Sequence, residues 1–448
     1  MMDHISASDL LEKISPQVDG AELYELRSLE LPVHFRAGTL ESVKALTITG
    51  RALRIIKDGR LGFTTTTDLA DDTSFLENAA YSARTGDPAS FTFPSQQPSH
   101  SVQCYDPHVE KLDEGDLIAL AEEIVDRINA YEPELQIEVF VKRKAEELHL
   151  FNTNGLELHD RRTALSLLGS AMRVHEGDIL EISHSATSRR SHDVDAHLVA
   201  DRIIERFTWA EKTATVPSKS MPVIFSPQAA IVLFLPLMFG LNGRYAYLGA
   251  SPLSQKINHG AFDRQFSLID NGRLDFAVRS QPFDDEGTPT TEKPLIDRGT
   301  VRQFLYDLKT AAQAETNPTG NGIKGEATIS RDFRKPPTIA PTSWIVPPGD
   351  RSVEQILQDQ EEAILVDDVI GLGQGNMISG EFSNTISVGY LFRRGQLIGR
   401  VKNTMIAGNV YDLLKGKLIG LSDQAEWAYG VLYSPAIAVD GVSVVSKG

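Results

Sequence analysis

Polar and apolar residues alternate through most of the first 70 positions. The runs Ala21 to Phe35, Leu40 to Thr49, Arg51 to Lys57 and Leu61 to Thr67 all alternate or nearly so. A half-buried strand points successive side chains to core and to solvent, so a period of two predicts strands. Asp58-Gly59 separates the last two runs, and both residues tolerate the positive φ of a type I′ turn, which predicts a hairpin. The pattern shifts to helical spacing over Ile5 to Ile14 and again over Asp71 to Thr85.

Asp87 to Pro107, with Pro88, Pro94, Pro98 and Pro107, predicts an extended linker. Beyond it, Leu117, Leu120, Ala121, Ile124, Val125 and Ile128 fall on one face of a helix over Asp113 to Ala130, with Asp113 as its N-cap. Strand patterns return at Leu135 to Arg143, Glu147 to Asn152, Leu156 to Arg162, Ala164 to His175 and Asp178 to Ser188. Asn154-Gly155 and Glu176-Gly177 supply turns, and a helix follows over Ala196 to Trp209. The first 210 residues therefore use one plan twice, a strand meander with a packing helix.

Val216 to Pro222 predicts a second linker, after which the pattern changes. Ala229 to Leu241 is apolar throughout but contains Pro236, and its 13 residues fall short of the roughly 20 that a membrane span needs. It predicts a buried helix, kinked or in two pieces. Clear strands come late, at Glu362 to Ile370, Thr385 to Phe392 and Leu397 to Val401, the last two joined around Arg394-Gly395. The fold class is α+β, with antiparallel meander sheets and packing helices in the N-terminal half and a mixed, mainly antiparallel, β-rich C-terminal domain. The expected units are residues 1–90, 108–212 and 220–448.

Composition narrows the function. The 448 residues carry 44 basic and 61 acidic side chains, a formal charge of −17. That balance argues against a nucleic-acid partner, whose phosphates call for a basic surface. Lys142-Arg143-Lys144 is the densest basic run and predicts a solvated strand face. The single cysteine, Cys104, excludes an internal disulfide and any paired-cysteine zinc site. Met1 to Leu11 shows no secretory pattern, so the expectation is a cytoplasmic protein with no membrane partner.

Catalytic signatures are sparse. No His-Glu-x-x-His or His-Glu-x-x-x-His occurs, and no Gly-x-Ser-x-Gly elbow. His175, His184, His192 and His197, with Asp193 and Asp195 nearby, are either a metal cluster or surface residues beside a helix cap. Cys104 lies near His100 and His108, but a linker is a poor scaffold for a nucleophile. Gly371, Gly373 and Gly375 form a glycine-rich stretch without the Lys-Ser/Thr of a phosphate loop, which leaves a tight turn or a ligand-facing loop. Thr319-Gly320-Asn321-Gly322 has the same ambiguity. In Phe283-Asp284-Asp285-Glu286-Gly287-Thr288-Pro289-Thr290, three adjacent carboxylates require solvation, amide caps or cationic partners. They are a capped surface loop or a general base and cation site.

Several of these pieces occur together and in order. Gly50-Arg51-Ala52-Leu53-Arg54 leads to Asp58-Gly59-Arg60-Leu61-Gly62-Phe63, and the acidic string follows in the second half. Then come Gly299 to Asp307, Thr319-Gly320-Asn321, Ser379-Gly380-Glu381-Phe382-Ser383 and Ile406-Ala407-Gly408-Asn409. From about Ala21 to the C-terminus this arrangement resembles the TldD/PmbA family, once labelled modulators of DNA gyrase. TldD-like members carry a His-Glu-x-x-x-His zinc helix and a later cysteine. With a PmbA/TldE-like subunit they form a peptidase that cleaves unfolded peptides. The resemblance places the zinc helix near Phe234 to Gly240, with Phe234, Leu235 and Phe239 at the ligand positions, and Ser379 to Tyr390 holds no cysteine. It therefore implies the PmbA/TldE-like branch, with no metal or cofactor in this chain and zinc only in a TldD-like partner. The implied role is a non-catalytic subunit gripping an unfolded peptide, with Asp284, Asp285, Glu286, Gly287, Thr288, Gly371, Gly373 and Gly375 as candidate contacts. The alternatives are a peptidase or hydrolase with an atypical metal site, or a homodimeric peptide-binding protein.

Overall fold

A computed structural model describes residues 7–325 and 331–446. The helix expected from Ile5 is described from Ala7, so its first two residues lie outside that range. The N-terminal half is one seven-stranded antiparallel sheet: β1 (Gly20–Arg36), β2 (Thr39–Val43), β3 (Leu46–Lys57), β4 (Arg60–Thr66), β5 (Gln136–Asn152), β6 (Glu157–His175) and β7 (Asp178–Ser188). The order is β4-β3-β1-β5-β6-β7, with β2 beside the end of β1. The two meanders are thus joined through β1 and β5, which pair from Glu22↔Asn152 to Arg36↔Glu138. Asp58 (φ 51°) and Gly59 (φ 67°) make the β3–β4 turn, as their sequence predicts.

Strand limits differ from the sequence pattern in a consistent way. Leu135 to Arg143 and Glu147 to Asn152 are one strand, as are Leu156 to Arg162 and Ala164 to His175. The apparent break in β5 is a run of charged residues that the sheet buries in pairs. Lys144 is buried, 2.6 Å from Glu146 and 3.3 Å from its cross-strand partner Glu30, so the basic run is not simply a solvated face. Conversely, Leu40 to Thr49 is divided, and its second part runs on into Arg51 to Lys57.

Helices cover one face of this sheet in two groups. α1 (Ala7–Ile14) and α2 (Asp72–Ala83) pack on Leu23, Leu53 and Ile55, with Phe151 at the margin. α3 (Pro107–Lys111), α4 (Glu114–Tyr131) and α5 (Ala196–Trp209) cover Val139, Val141 and Leu167. A capping box starts α4, where Asp113 accepts from the Asp116 amide (3.0 Å) and Asp116 from the Asp113 amide (2.9 Å). Tyr24, Leu26, Leu148, Leu150 and Leu158 point to the opposite face and pack on Phe283 and Phe333 of the second half.

The C-terminal half is built on a mixed sheet. Strands Lys219–Phe225, Ala363–Ile370, Glu381–Arg393, Thr404–Asn409 and Leu432–Ser446 pair in a closed ring, a small barrel. The expected linker Val216 to Pro222 runs into the first of these strands, with Val216 and Met221 buried in the core. Val223 and Phe225 face the core around helix α6 (Ile231–Gly240), while Ile224 faces the core under α4 and α5. A strand buried on both sides loses its polar alternation, which hid this one. The segment Asp87 to Pro107 is extended as expected, but Phe93 and Cys104 anchor it in the interior.

Candidate functional site

Helix α6 occupies the place where the resemblance puts a zinc helix. Its sequence is IVLFLPLMFG, and none of its residues is a histidine, cysteine or carboxylate. Phe234 is fully buried, its ring centroid 6.2 Å from Phe266 and 6.1 Å from Trp344. Leu235 is half-buried against the same core, and Phe239 lies 5.6 Å from the Tyr245 ring. Pro236 sits inside the helix, where it removes one backbone bond, and surrounding packing holds the turn. Tyr411 wedges between this helix and the later segment. A Cβ on Gly240 would sit 2.2 Å from its Oη, and one on Gly380 would sit 2.4 Å from its ring. The two glycines leave room for that ring. A zinc ion does not fit these residues, because imidazole, thiolate and carboxylate donors are all missing from the helix and an aromatic ring fills the gap beside it.

The acidic turn is the most strongly charged part of the interior. Asp284 and Asp285 are fully buried and Glu286 is 2% exposed, so the turn is not a surface loop. Asp284 organises the backbone: its Oδ1 accepts from the Glu286 amide (3.0 Å) and the Thr288 amide (2.9 Å), and its Oδ2 from the Gly322 amide (2.8 Å). Gly287 takes φ +79°, and a Cβ there would meet Leu156 at 2.8 Å. Asp285 accepts from the Lys324 amide (2.8 Å) and the Tyr24 hydroxyl (3.1 Å), and pairs with Arg331 (2.9 Å). Glu286 accepts from Arg54 (2.6 Å) and from the Leu308 amide (2.8 Å). Arg54 in turn grips Glu22, its cross-strand partner, through two bonds of 2.9 and 2.8 Å.

This nest joins the two halves, since Glu22, Tyr24 and Arg54 come from the first sheet and the acids from the second half. Burial, followed by repulsion from Glu286, drives the Asp284 carboxyl well above its ordinary range against the pull of three amides. Burial also raises Asp285 to about 6, against Arg162 and Lys324. Glu286 rises to about 7 by burial, although Arg54 pulls it down. Lys324, enclosed and facing Arg54, drops to about 8. All the oxygens of the turn's three carboxylates have partners within the chain, so the turn acts as a structural joint.

The remaining sequence candidates lie apart. Gly371, Gly373 and Gly375 take φ of +83°, +83° and +107° in an exposed loop between two barrel strands, and the Gly371 carbonyl accepts from Asn384 (2.7 Å). Exposed Ile370 precedes it and exposed Leu372 lies within it. Asp195 caps α5 through the His197 amide (2.8 Å), and Asp193 pairs with Arg190 (2.9 Å). Burial pushes His184 down to about 4, and Arg202 adds to the shift. His175, His184, His192 and His197 form no metal-holding group among the described residues. Cys104 is buried, its thiol donating to the Ser280 carbonyl (3.3 Å), and burial raises its pKa. Sequence reading missed one group, Glu147, His149 and His159, whose donor atoms lie within 4.8 Å of one another. The signal was present as Glu147-x-His149 in a strand, facing His159 across a hairpin.

Residues 218–446 match the model of the PmbA/TldA metallopeptidase C-terminal domain, and residues 21–83 match that of its domain 1. The chain belongs to the PmbA/TldD metallopeptidase family. It is 28% identical over 432 residues to an uncharacterized protein of Methanocaldococcus jannaschii, covering 94% of this chain and 95% of that one. It is 26% identical over 200 residues to a metalloprotease TldD homolog of Buchnera aphidicola, covering 44% of this chain and 40% of that protein, so the match spans less than half of that metalloprotease. The fold matches that of TldE from Thermococcus kodakarensis with a TM-score of 0.87 at 22% identity, over 98% of this chain and 99% of that one. No helix among the described residues is long and apolar enough to cross a membrane.

Proposed function

We propose that this PmbA/TldD family member is the non-catalytic, TldE-like subunit of a peptidase, pairing with a zinc-bearing TldD-like chain and helping it hold an unfolded peptide. The composition of α6 carries the proposal. Its ten residues are all apolar, and Phe234, Leu235 and Phe239 pack where the family's zinc ligands are expected. A helix kept for packing retains the fold without the Lewis acid that activates water. The buried turn around Asp284 is the joint that holds the N-terminal sheet against the barrel half. The exposed loop Gly371 to Gly375, with exposed Ile370 before it and exposed Leu372 within it, is the surface we assign to partner or peptide. Extended peptides are held largely through backbone hydrogen bonds, and residues 372–375 of this loop are exposed to solvent.

The test is reconstitution. The chain is purified, mixed with a TldD-like chain that carries His-Glu-x-x-x-His, and assayed on an unstructured peptide. The expected result is no cleavage by this chain alone and cleavage by the mixture well above that of the TldD-like chain alone. Full activity and assembly of the TldD-like chain without it would end the proposal, and so would cleavage by this chain alone.

A further inference from the structure

Glu147, His149 and His159 form a cluster that the subunit role does not use. Residues two apart on a strand share a face, so Glu147 and His149 point the same way from β5. The β5–β6 register sets His149 directly opposite His159. Along β5 on this face, Val141 belongs to the core under α4 and α5, and Phe151 touches the core under α1 and α2. Glu147 and His149 fall between these helical groups, and all three side chains keep 40–46% of their surface exposed.

The geometry is that of a ligand set. Glu147 Oε1 lies 3.1 Å from His159 Nε2 and 3.7 Å from His149 Nε2. Two ligands of a tetrahedral zinc ion with bonds of about 2.1 Å stand about 3.4 Å apart, so small rotamer adjustments bring the three atoms onto one ion. The imidazole rings lie 4.5 Å apart, and Phe151 stacks beside His149 at 6.1 Å. A cavity of about 140 Å³ opens beside Glu147 and His149, lined also by Glu25, Arg27, Arg51 and Leu69. Of the nearby cations, Arg51 pairs with Glu25 (2.5 Å) and Arg161 with Glu110 (3.2 Å), while Arg27 stands directly opposite Glu147 in the β1–β5 register. The hydrogen-bond and ion-pair contacts of the Glu147 carboxylate are those with the two imidazoles.

We propose that Glu147, His149 and His159 bind one divalent transition-metal ion of the zinc type, with a fourth coordination position open to the adjacent cavity. Two imidazoles and a carboxylate select such ions over calcium or magnesium, which prefer all-oxygen shells. The site goes beyond the proposed subunit role, because it lies on the N-terminal sheet and requires neither partner nor peptide.

The test titrates zinc alone into the full chain after removal of bound metals by chelator and dialysis, followed by calorimetry. Cobalt absorption gives a second readout of tetrahedral coordination. The expected result is one equivalent bound, with affinity weakened at least about tenfold in His149→Ala, in His159→Ala and in the near-isosteric Glu147→Gln. His192→Ala, at a separate surface position, is expected to bind as wild type does. Circular dichroism establishes that each variant is folded. Absence of saturable one-to-one binding would overturn the proposal, as would equal affinity in wild type and the three ligand variants.

Discussion

Arg54→Met removes the cation that two buried acids share and keeps a side chain of similar length. Arg54 is 3% exposed and makes three charged hydrogen bonds, two to Glu22 and one to Glu286. Removing one partner from a buried ion pair costs about 3–5 kcal/mol, because the remaining charge has neither water nor counterion. The loss has a predictable pH dependence. Glu286 titrates at about 7 in the folded chain against an ordinary 4.5, and Arg54 is what pulls it down. A carboxyl raised on folding makes the native state bind more protons than the unfolded state between those two values. Its stability contribution is therefore complete below 4.5 and falls as pH rises to about 7. In Arg54→Met the folded value climbs further, and each added unit costs about 1.4 kcal/mol at high pH. Urea unfolding followed by circular dichroism and tryptophan fluorescence at pH 5.5 and 8.5 measures this. The expected loss is about 3–5 kcal/mol at pH 8.5 and distinctly less at pH 5.5, where Glu286 is protonated with or without Arg54. Adding Glu286→Gln to Arg54→Met is expected to recover part of the loss. A loss below about 1 kcal/mol at pH 8.5, the level of an exposed pair, would refute the reasoning, and so would a loss equal at both pH values.

Two further outcomes follow from the same interior. Gly322→Ala places a Cβ 2.2 Å from Glu286 Oε2 and pushes that carboxylate off the Leu308 amide; the expected cost is about 2–3 kcal/mol by urea midpoint, and an unchanged midpoint would contradict the packing described. Cys104 is 3% exposed with its thiol pKa raised by burial, so a thiol reagent at pH 8 is expected to react slowly with the native chain and fully in denaturant; fast native reaction would place the thiol outside the core.

Much of the fold was legible because its signals are local. The Asp58-Gly59 turn, the Asp113 cap and the apolar stripe of α4 each sit within a few residues, and each appears where the pattern put it. The failures share a cause. Lys144 and Glu146 read as a break between strands because charge normally marks solvent, yet their partners across the sheet bury them. Lys219–Phe225 read partly as a linker because Pro222 and the preceding polar residues masked a strand whose later positions are buried on both sides. The joint between β1 and β5 links residues more than 100 positions apart, and no local period encodes it. The Asp284 turn was visible as a motif, but its burial depends on Arg54, Tyr24, Lys324 and Arg331 arriving from distant segments.

The motif that carries the family resemblance and the helix where the resemblance puts a zinc site are different parts of this chain. The most specific piece of the sequence resemblance, Asp284-Asp285-Glu286-Gly287, is committed to a joint whose oxygens are consumed by amides and cations of the same chain. Helix α6, where the resemblance puts a zinc helix, sits elsewhere in the fold, and its Phe234 and Leu235 contribute to the apolar core. Phe234 and Leu235 bring no polar group to be desolvated inside that core, and the Tyr411 ring fills the space beside Gly240 and Gly380. The nest therefore joins the two halves through contacts that do not involve α6. That is the physical basis of the proposed role, a subunit that retains the fold while a partner supplies the metal.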